Sequence, residues 1–292
     1  MACNDTLHGI LNKAFQLIPR ILFDRSIFHG DGFRRLKQSP LAAWIAARKA
    51  RLIYTPLFIE ETIQYGLKGS PDFNSQWQYL ISLNDSFWFK NTNEILALEL
   101  GNRIVGRKYY LRTKPWIDKV IQDLPALLGG KVPLDQLSEA RSQMEGNNLI
   151  REKLREQRLI MRKRYPQRPF SFEDVLGQTT EWYIQKGLMQ WHSDSEGYLE
   201  VWRTNRLKCR FAASHIQAAL AIYFLPLADH QLKVDINDKS DAEQLAFMEW
   251  GDIFVSDDTR FMKSAFDLLY GQAEKQFMNS KEFIAYLGQS SN

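Results

Sequence analysis

The chain has 292 residues, enough for a sizeable core in one or two domains. Its 45% hydrophobic and 25% charged content, with eight tryptophans and 18 phenylalanines, excludes a disordered or low-complexity protein. A formal net charge of +4 does not mark a nucleic-acid binder by itself, and the two cysteines, Cys3 and Cys209, form neither a disulfide framework nor a zinc pattern.

Residues Leu7 to Ile18 read as an amphipathic helix closed by Pro19. The apolar stretch Ile10 to Phe23 is broken by Lys13, Pro19 and Arg20 and lacks a small-residue cleavage site, so neither a membrane span nor a secretory leader is expected. A cytoplasmic protein is the expectation. Ile21-Leu22-Phe23 is a compact buried-strand candidate with Asp24 at its carboxyl end. An aspartate there also suits a turn or helix cap.

Pro40 to Arg51 reads as a helix, and Arg51 to Thr55 as a second short strand. Pro56 then suits the first turn of a helix running from Leu57 and ending at Gly66. That helix carries Glu60 and Glu61, neighbours that diverge by about 100° around its axis. One faces the strand ends and the other solvent.

From Gln76 to Asp229 the pattern becomes long, helical and dense in aromatic and basic residues, with no repeat of fixed period. Helices are predicted over Asn91–Val105, Leu137–Arg164, Phe172–Gly187 and Phe211–Phe224, the last ending before Pro226. Tyr198 to Trp202 reads as a short strand or extended loop. Arg107 and Lys108 interleave with aromatics, and Arg155, Arg158, Arg162 and Lys163 give the long helix a basic face. Such a face can grip a phosphate backbone or be merely solvated. Tyr109, Tyr110 and Trp116 suit core packing.

The stretch from Asn237 to Phe261 carries the most information. Acids open a helix over Asp241 to Trp250, Gly251 stops it, and Asp252 to Ser256 reads as a buried strand ending in Asp257 and Asp258. A helix over Phe261–Tyr270, a strand over Lys275–Met278 and a final helix from Ser280 complete the chain. The alternation of strands and helices predicts an α/β fold with a parallel sheet, built from residues 1–75 and 230–292, with 76–229 as a helical insertion.

Acids thus stand at four places: Asp24, Glu60 or Glu61, Asp238 or Asp241, and Asp257 or Asp258. Their order resembles the PIN-domain nucleases. Ile21-Leu22-Phe23-Asp24-Arg25-Ser26 is similar to that family's first strand, which ends in an aspartate with a small polar residue two places on. Thr55-Pro56-Leu57-Phe58-Ile59-Glu60-Glu61 is similar to its second strand and glutamate-bearing helix. Asp241-Ala242-Glu243-Gln244-Leu245 resembles the helix opened by its third acid. Ile253 to Phe261 resembles its Val-Thr-x-Asp-x-x-Phe end, with Asp258 in the acid position, and Ser280-Lys281-Glu282-Phe283-Ile284 resembles its closing segment. The resemblance covers about the first third and the last quarter of the chain; the helical middle departs from it.

That resemblance implies a PIN-like three-layer core and hydrolysis of phosphodiester bonds through Mg²⁺ or Mn²⁺. Asp24 and Asp258 would bind an ion directly, and Glu61 and Asp241 would hold a second ion or its waters. Glu60, Asp238 and Asp257 stand as further ligands, with Ser26 and Ser256 orienting carboxylates by hydrogen bonds. It implies a nucleic-acid substrate, RNA ahead of DNA, and leaves room for an inhibitory or complex-forming protein partner. The basic residues named above would hold the substrate backbone. Two other readings compete. A haloacid-dehalogenase-like phosphatase also needs an aspartate after its first strand and a late Gly-Asp, here Gly251-Asp252. Ser26 stands where that family needs a second aspartate, however, and its Gly-Asp follows a strand whereas this one precedes one. The other is a nucleic-acid-binding or scaffold protein without catalysis.

Overall fold

The computed structural model describes residues 18–83, 86–101, 107–128, 134–165, 171–188 and 197–289. The helix expected over Leu7–Ile18 falls almost wholly outside them. Five short strands, β1 (Arg20–Phe23), β2 (Arg51–Tyr54), β3 (Ser86–Trp88), β4 (Ile253–Val255) and β5 (Gln276–Met278), form one all-parallel sheet in the order β3-β2-β1-β4-β5. The predicted α/β class and parallel sheet are therefore present.

A parallel sheet is covered on both faces, which requires apolar side chains on both sides of each inner strand. In β1, Ile21 and Phe23 point to one core and Leu22 to the other, and none is more than 2% exposed. The same alternation sends Leu52 and Tyr54, with Ile253 and Val255, into the first core, and Ile53 and Phe254 into the second. Each such fully buried side chain contributes about 1.5–3 kcal/mol.

The first core is roofed by α1 (Gly30–Gln38), α2 (Leu41–Ala46), α3 (Pro56–Leu67) and α4 (Phe73–Ser82). The middle of the chain then contributes α5 (Thr92–Leu100), α6 (Lys114–Leu128), the long α7 (Leu134–Arg164), α8 (Phe172–Trp182), α9 (Tyr198–Asn205) and α10 (Arg210–Ala228). The second core is covered by α10 together with α11 (Asp238–Ala246) and α12 (Phe261–Tyr270); α13 (Ser280–Gln289) returns to the first. Helix α10 is long and apolar enough in composition to cross a membrane, but 72% of its apolar window is buried inside the protein, the situation of a core helix.

Four expectations need correction. Strand β3 forms the edge of the sheet and comes from the stretch expected to be mostly helical. Tyr198–Trp202 is helical, because Tyr198 and Trp202, four residues apart, are buried on one face. Helix α10 runs through Pro226, which forfeits its own N–H bond to the carbonyl four residues upstream, and the helix ends two residues later. The helix from Asp238 ends at Ala246 and tightens into a 3₁₀ turn at Phe247–Glu249 before Gly251 is reached. Gly251 is favoured for a different reason: a Cβ there would lie 2.2 Å from Leu22 Cδ1 and 2.8 Å from Met248 Sδ, so any side chain at the turn into β4 must displace buried neighbours.

Candidate functional site

The strand order reverses direction between β1 and β4: β1, β2 and β3 run outward one way, β4 and β5 the other. Open α/β sheets bind ligands at the carboxyl ends of the strands at such a reversal, because the loops there part to opposite faces. A cavity of about 390 Å³ lies at this position. Asp24, directly after β1, and Asp258, three residues after β4, both line it. Glu61 reaches it from the second turn of α3, and Asp241 from the first turn of α11.

The two strand ends are tied together. Backbone pairing continues as Asp24 N–H donates to the Val255 carbonyl at 2.9 Å. The hydroxyls of Ser26 and Ser256 both donate to Asp24 Oδ2, the second at 2.7 Å. Those same hydroxyl oxygens accept the backbone N–H groups of Asp257 and Asp258, each at 3.0 Å. Asp24 is thereby locked, and among the described residues its Oδ1 receives no hydrogen bond. Helix α11 is fixed to the same point, since Gln244 Nε2 donates to the carbonyl of Phe23.

Electrostatics follow from the crowding. Burial, then the charge of Asp24, pushes the Glu61 carboxyl up to about 7. Asp241 is raised well above the usual carboxylate range by burial first, then by Asp24 and Glu61. Among the described residues, no group of three or more His, Cys, Asp or Glu side chains is set to hold a metal ion. The acids share a space rather than forming a finished coordination shell. The chemistry of the donors nevertheless fits a hard divalent cation: all are carboxylate oxygens, Asp24 Oδ1 is free, and ion-free repulsion is high.

Several predicted residues have other work. Glu60 does not line the cavity; it accepts a hydrogen bond from Gln64 on the helix surface, so Glu61 is the inward member of the pair. Asp257 accepts the Ser280 N–H at 2.8 Å and caps α13 instead of facing the cavity. Asp238 lines the cavity, but its Oδ2 is taken by Arg158 Nη1 at 2.7 Å and the Asp235 N–H at 2.9 Å.

The expected nucleic-acid grip of Arg158 is corrected by the same contact. Arg158 is 2% exposed and cannot meet a substrate backbone. Arg155 and Arg162 donate to the carbonyls of Val234 and Leu232, so this face of α7 clamps the segment leading into α11. Lys108 and Lys163 are exposed, and the side chain of Arg107 lies outside the described residues.

The sequence reading missed Arg25, His29, Tyr65, Lys68, Arg151 and Arg260, all of which line the cavity. Helical spacing held a signal for Arg151. It stands seven residues before Arg158, hence on the same face of α7. Arg25 had none, because nothing in a sequence marks a buried cation. No protein-family profile, no curated protein and no solved structure matches the chain.

Proposed function

We propose that this protein is a metal-dependent nuclease with a PIN-like active site, cutting phosphodiester bonds of RNA or DNA. The observation that carries the reading is the meeting of Asp24, Glu61, Asp241 and Asp258, from four separate segments, on one cavity at the reversal of the sheet. Four carboxyls from distant parts of a chain are costly to gather without a cation, since burial and repulsion both oppose their ionisation.

Mg²⁺ or Mn²⁺ would be held by Asp24, Asp241 and Asp258, with Glu61 as a further ligand or holder of a bound water. When bound, such an ion supplies Lewis-acid polarisation of a phosphate oxygen and a water of lowered pKa. The chain's own residues do the rest. Ser26 and Ser256 fix the Asp24 carboxylate through Oδ2 and leave Oδ1 for the ion. Burial and mutual charge raise the carboxyls of Glu61 and Asp241, so a cation held there would compete with protons for them. Arg151 and Lys68 line the same cavity and offset the charge of an incoming phosphate backbone.

The phosphatase reading loses its late acid. Asp252 lies at the opposite end of β4 from Asp258, where its carboxylate pairs with Arg20 at 2.8 Å. The nuclease reading is tested by incubating labelled single-stranded RNA and DNA with the protein and Mn²⁺. Cleavage lost in Asp24→Asn and Asp258→Asn, with folding intact by circular dichroism, supports it. Undiminished cleavage in both variants refutes it, and ion binding without turnover of either polymer favours the scaffold.

A further inference from the structure

Arg25 follows Asp24 directly and lines the same cavity, yet it is 6% exposed. Its guanidinium lies over two aromatic rings, 4.4 Å from the centroid of Tyr65 and 5.4 Å from that of Phe28. One edge is used: Nη2 donates to Gln76 Oε1, which is itself held by Gln76 Nε2 donating to the Phe28 carbonyl at 2.7 Å. The other two nitrogens, Nε and Nη1, have no hydrogen-bond partner among the described residues. The cation makes no ion pair with a described carboxylate. It remains protonated near neutral pH, although burial lowers it to about 10.

Aromatic faces satisfy a guanidinium above and below its plane but give its in-plane N–H groups nothing to donate to. A buried cation with idle donors is costly unless an acceptor arrives. The acceptor that suits planar N–H groups beside a carboxylate cavity is a phosphate oxygen, which carries negative charge and takes short charge-assisted bonds. We propose that Arg25 forms an oxyanion subsite that takes a phosphate group of a single nucleotide unit, next to Asp24. The cavity's size suits one such unit rather than a length of duplex. Both idle nitrogens are buried while Arg25 itself lines the cavity wall, so an entering anion would need only a local shift of the side chain to reach them.

For the identity of the substrate this inference rests on the nuclease reading; for anion binding it stands alone. The test uses the metal-free 292-residue chain titrated with inorganic phosphate. The Arg25 Nε–H resonance, assigned by its disappearance in Arg25→Lys, is followed by NMR. A saturable shift in the wild type, with affinity at least about tenfold weaker in folded Arg25→Lys, supports the subsite. A resonance that stays fixed at high phosphate overturns it; if Arg25→Lys does not fold, the resonance is assigned instead by through-bond correlation within Arg25 in labelled wild-type protein, so the measurement still decides the matter. Phosphate bound equally well by Arg25→Lys also overturns it. If phosphate leaves Arg25 untouched while Asp24→Asn still abolishes cleavage, the nuclease stands and Arg25 is only structural. If phosphate binds but no polymer is cut, the subsite stands without the nuclease.

Discussion

Arg158 Nη1 lies 2.7 Å from Asp238 Oδ2, and both side chains are 2% exposed. Each had a different expected task, one holding substrate and the other metal, and each is instead the other's partner. The same guanidinium donates to the Asp235 carbonyl, so one side chain of α7 fixes the turn that starts α11 and thereby aims Asp241. Breaking a buried pair leaves an uncompensated charge, so Arg158→Met is expected to cost about 3–5 kcal/mol in urea unfolding. Replacing both partners, Arg158→Met with Asp238→Leu, should recover much of that. Equal losses in the single and double variants would contradict the pairing account.

Ser26 and Ser256 offer a second test. Both hydroxyls point at Asp24 Oδ2, so removing them frees the carboxylate to rotate without removing a ligand. Partners of this kind typically tune ion affinity by roughly 10–100-fold. Ser26→Ala and Ser256→Ala are each expected to weaken Mn²⁺ binding measured by calorimetry, and the double variant to weaken it most. Unchanged affinity in the double variant would show that Asp24 is held by something else.

Stability of the metal-free protein should depend on pH through Glu61. Its folded value of about 7 lies above its ordinary 4.5, so between those values the folded protein binds more protons than the unfolded chain. The stability linked to Glu61 is whole below about pH 4.5 and is lost as pH rises through about 7. Asp241 is shifted in the same direction and adds to the slope. Melting temperatures measured across this window with chelator present should fall with rising pH, and Glu61→Gln should flatten the curve. Added Mg²⁺ or Mn²⁺ should raise the melting temperature more at pH 8 than at pH 5.5, because protons compete with the ion at low pH. A larger gain at the lower pH would count against carboxylate ligation.

Gly251 makes a prediction about the fold alone. A methyl group there would meet Leu22 Cδ1 at 2.2 Å and Met248 Sδ at 2.8 Å. Overpacking of this kind costs about 1–3 kcal/mol. Gly251→Ala should therefore lower the denaturant midpoint while leaving the circular dichroism spectrum native, and an unshifted midpoint would mean that the turn relaxes freely.

The sequence carried the sheet's inner strands because Ile21 to Phe23, Leu52 to Tyr54 and Ile253 to Val255 are apolar on both faces, a pattern that burial in a parallel sheet demands. It did not carry β3, where Ser86-Phe87-Trp88 is too short for any period to register. Tyr198 to Trp202 misled because five residues satisfy alternation and helical spacing alike. The acids of the cavity were legible as residues following strands or opening helices. What was not legible was which charges are spent on each other. Asp238 and Arg158 are 80 positions apart, and only the packing of α7 against the entry to α11 joins them. Arg25 was invisible for the same reason: its neighbours are made by the fold.

The most direct measurement is anomalous diffraction from a crystal soaked in Mn²⁺. The account predicts a manganese peak in the cavity bonded to carboxylate oxygens of Asp24 and Asp258 at roughly 2.0–2.3 Å, with Asp241 or Glu61 completing the shell directly or through water. A soaked crystal that binds Mn²⁺ elsewhere on the protein, with no peak between Asp24 and Asp258, would contradict it.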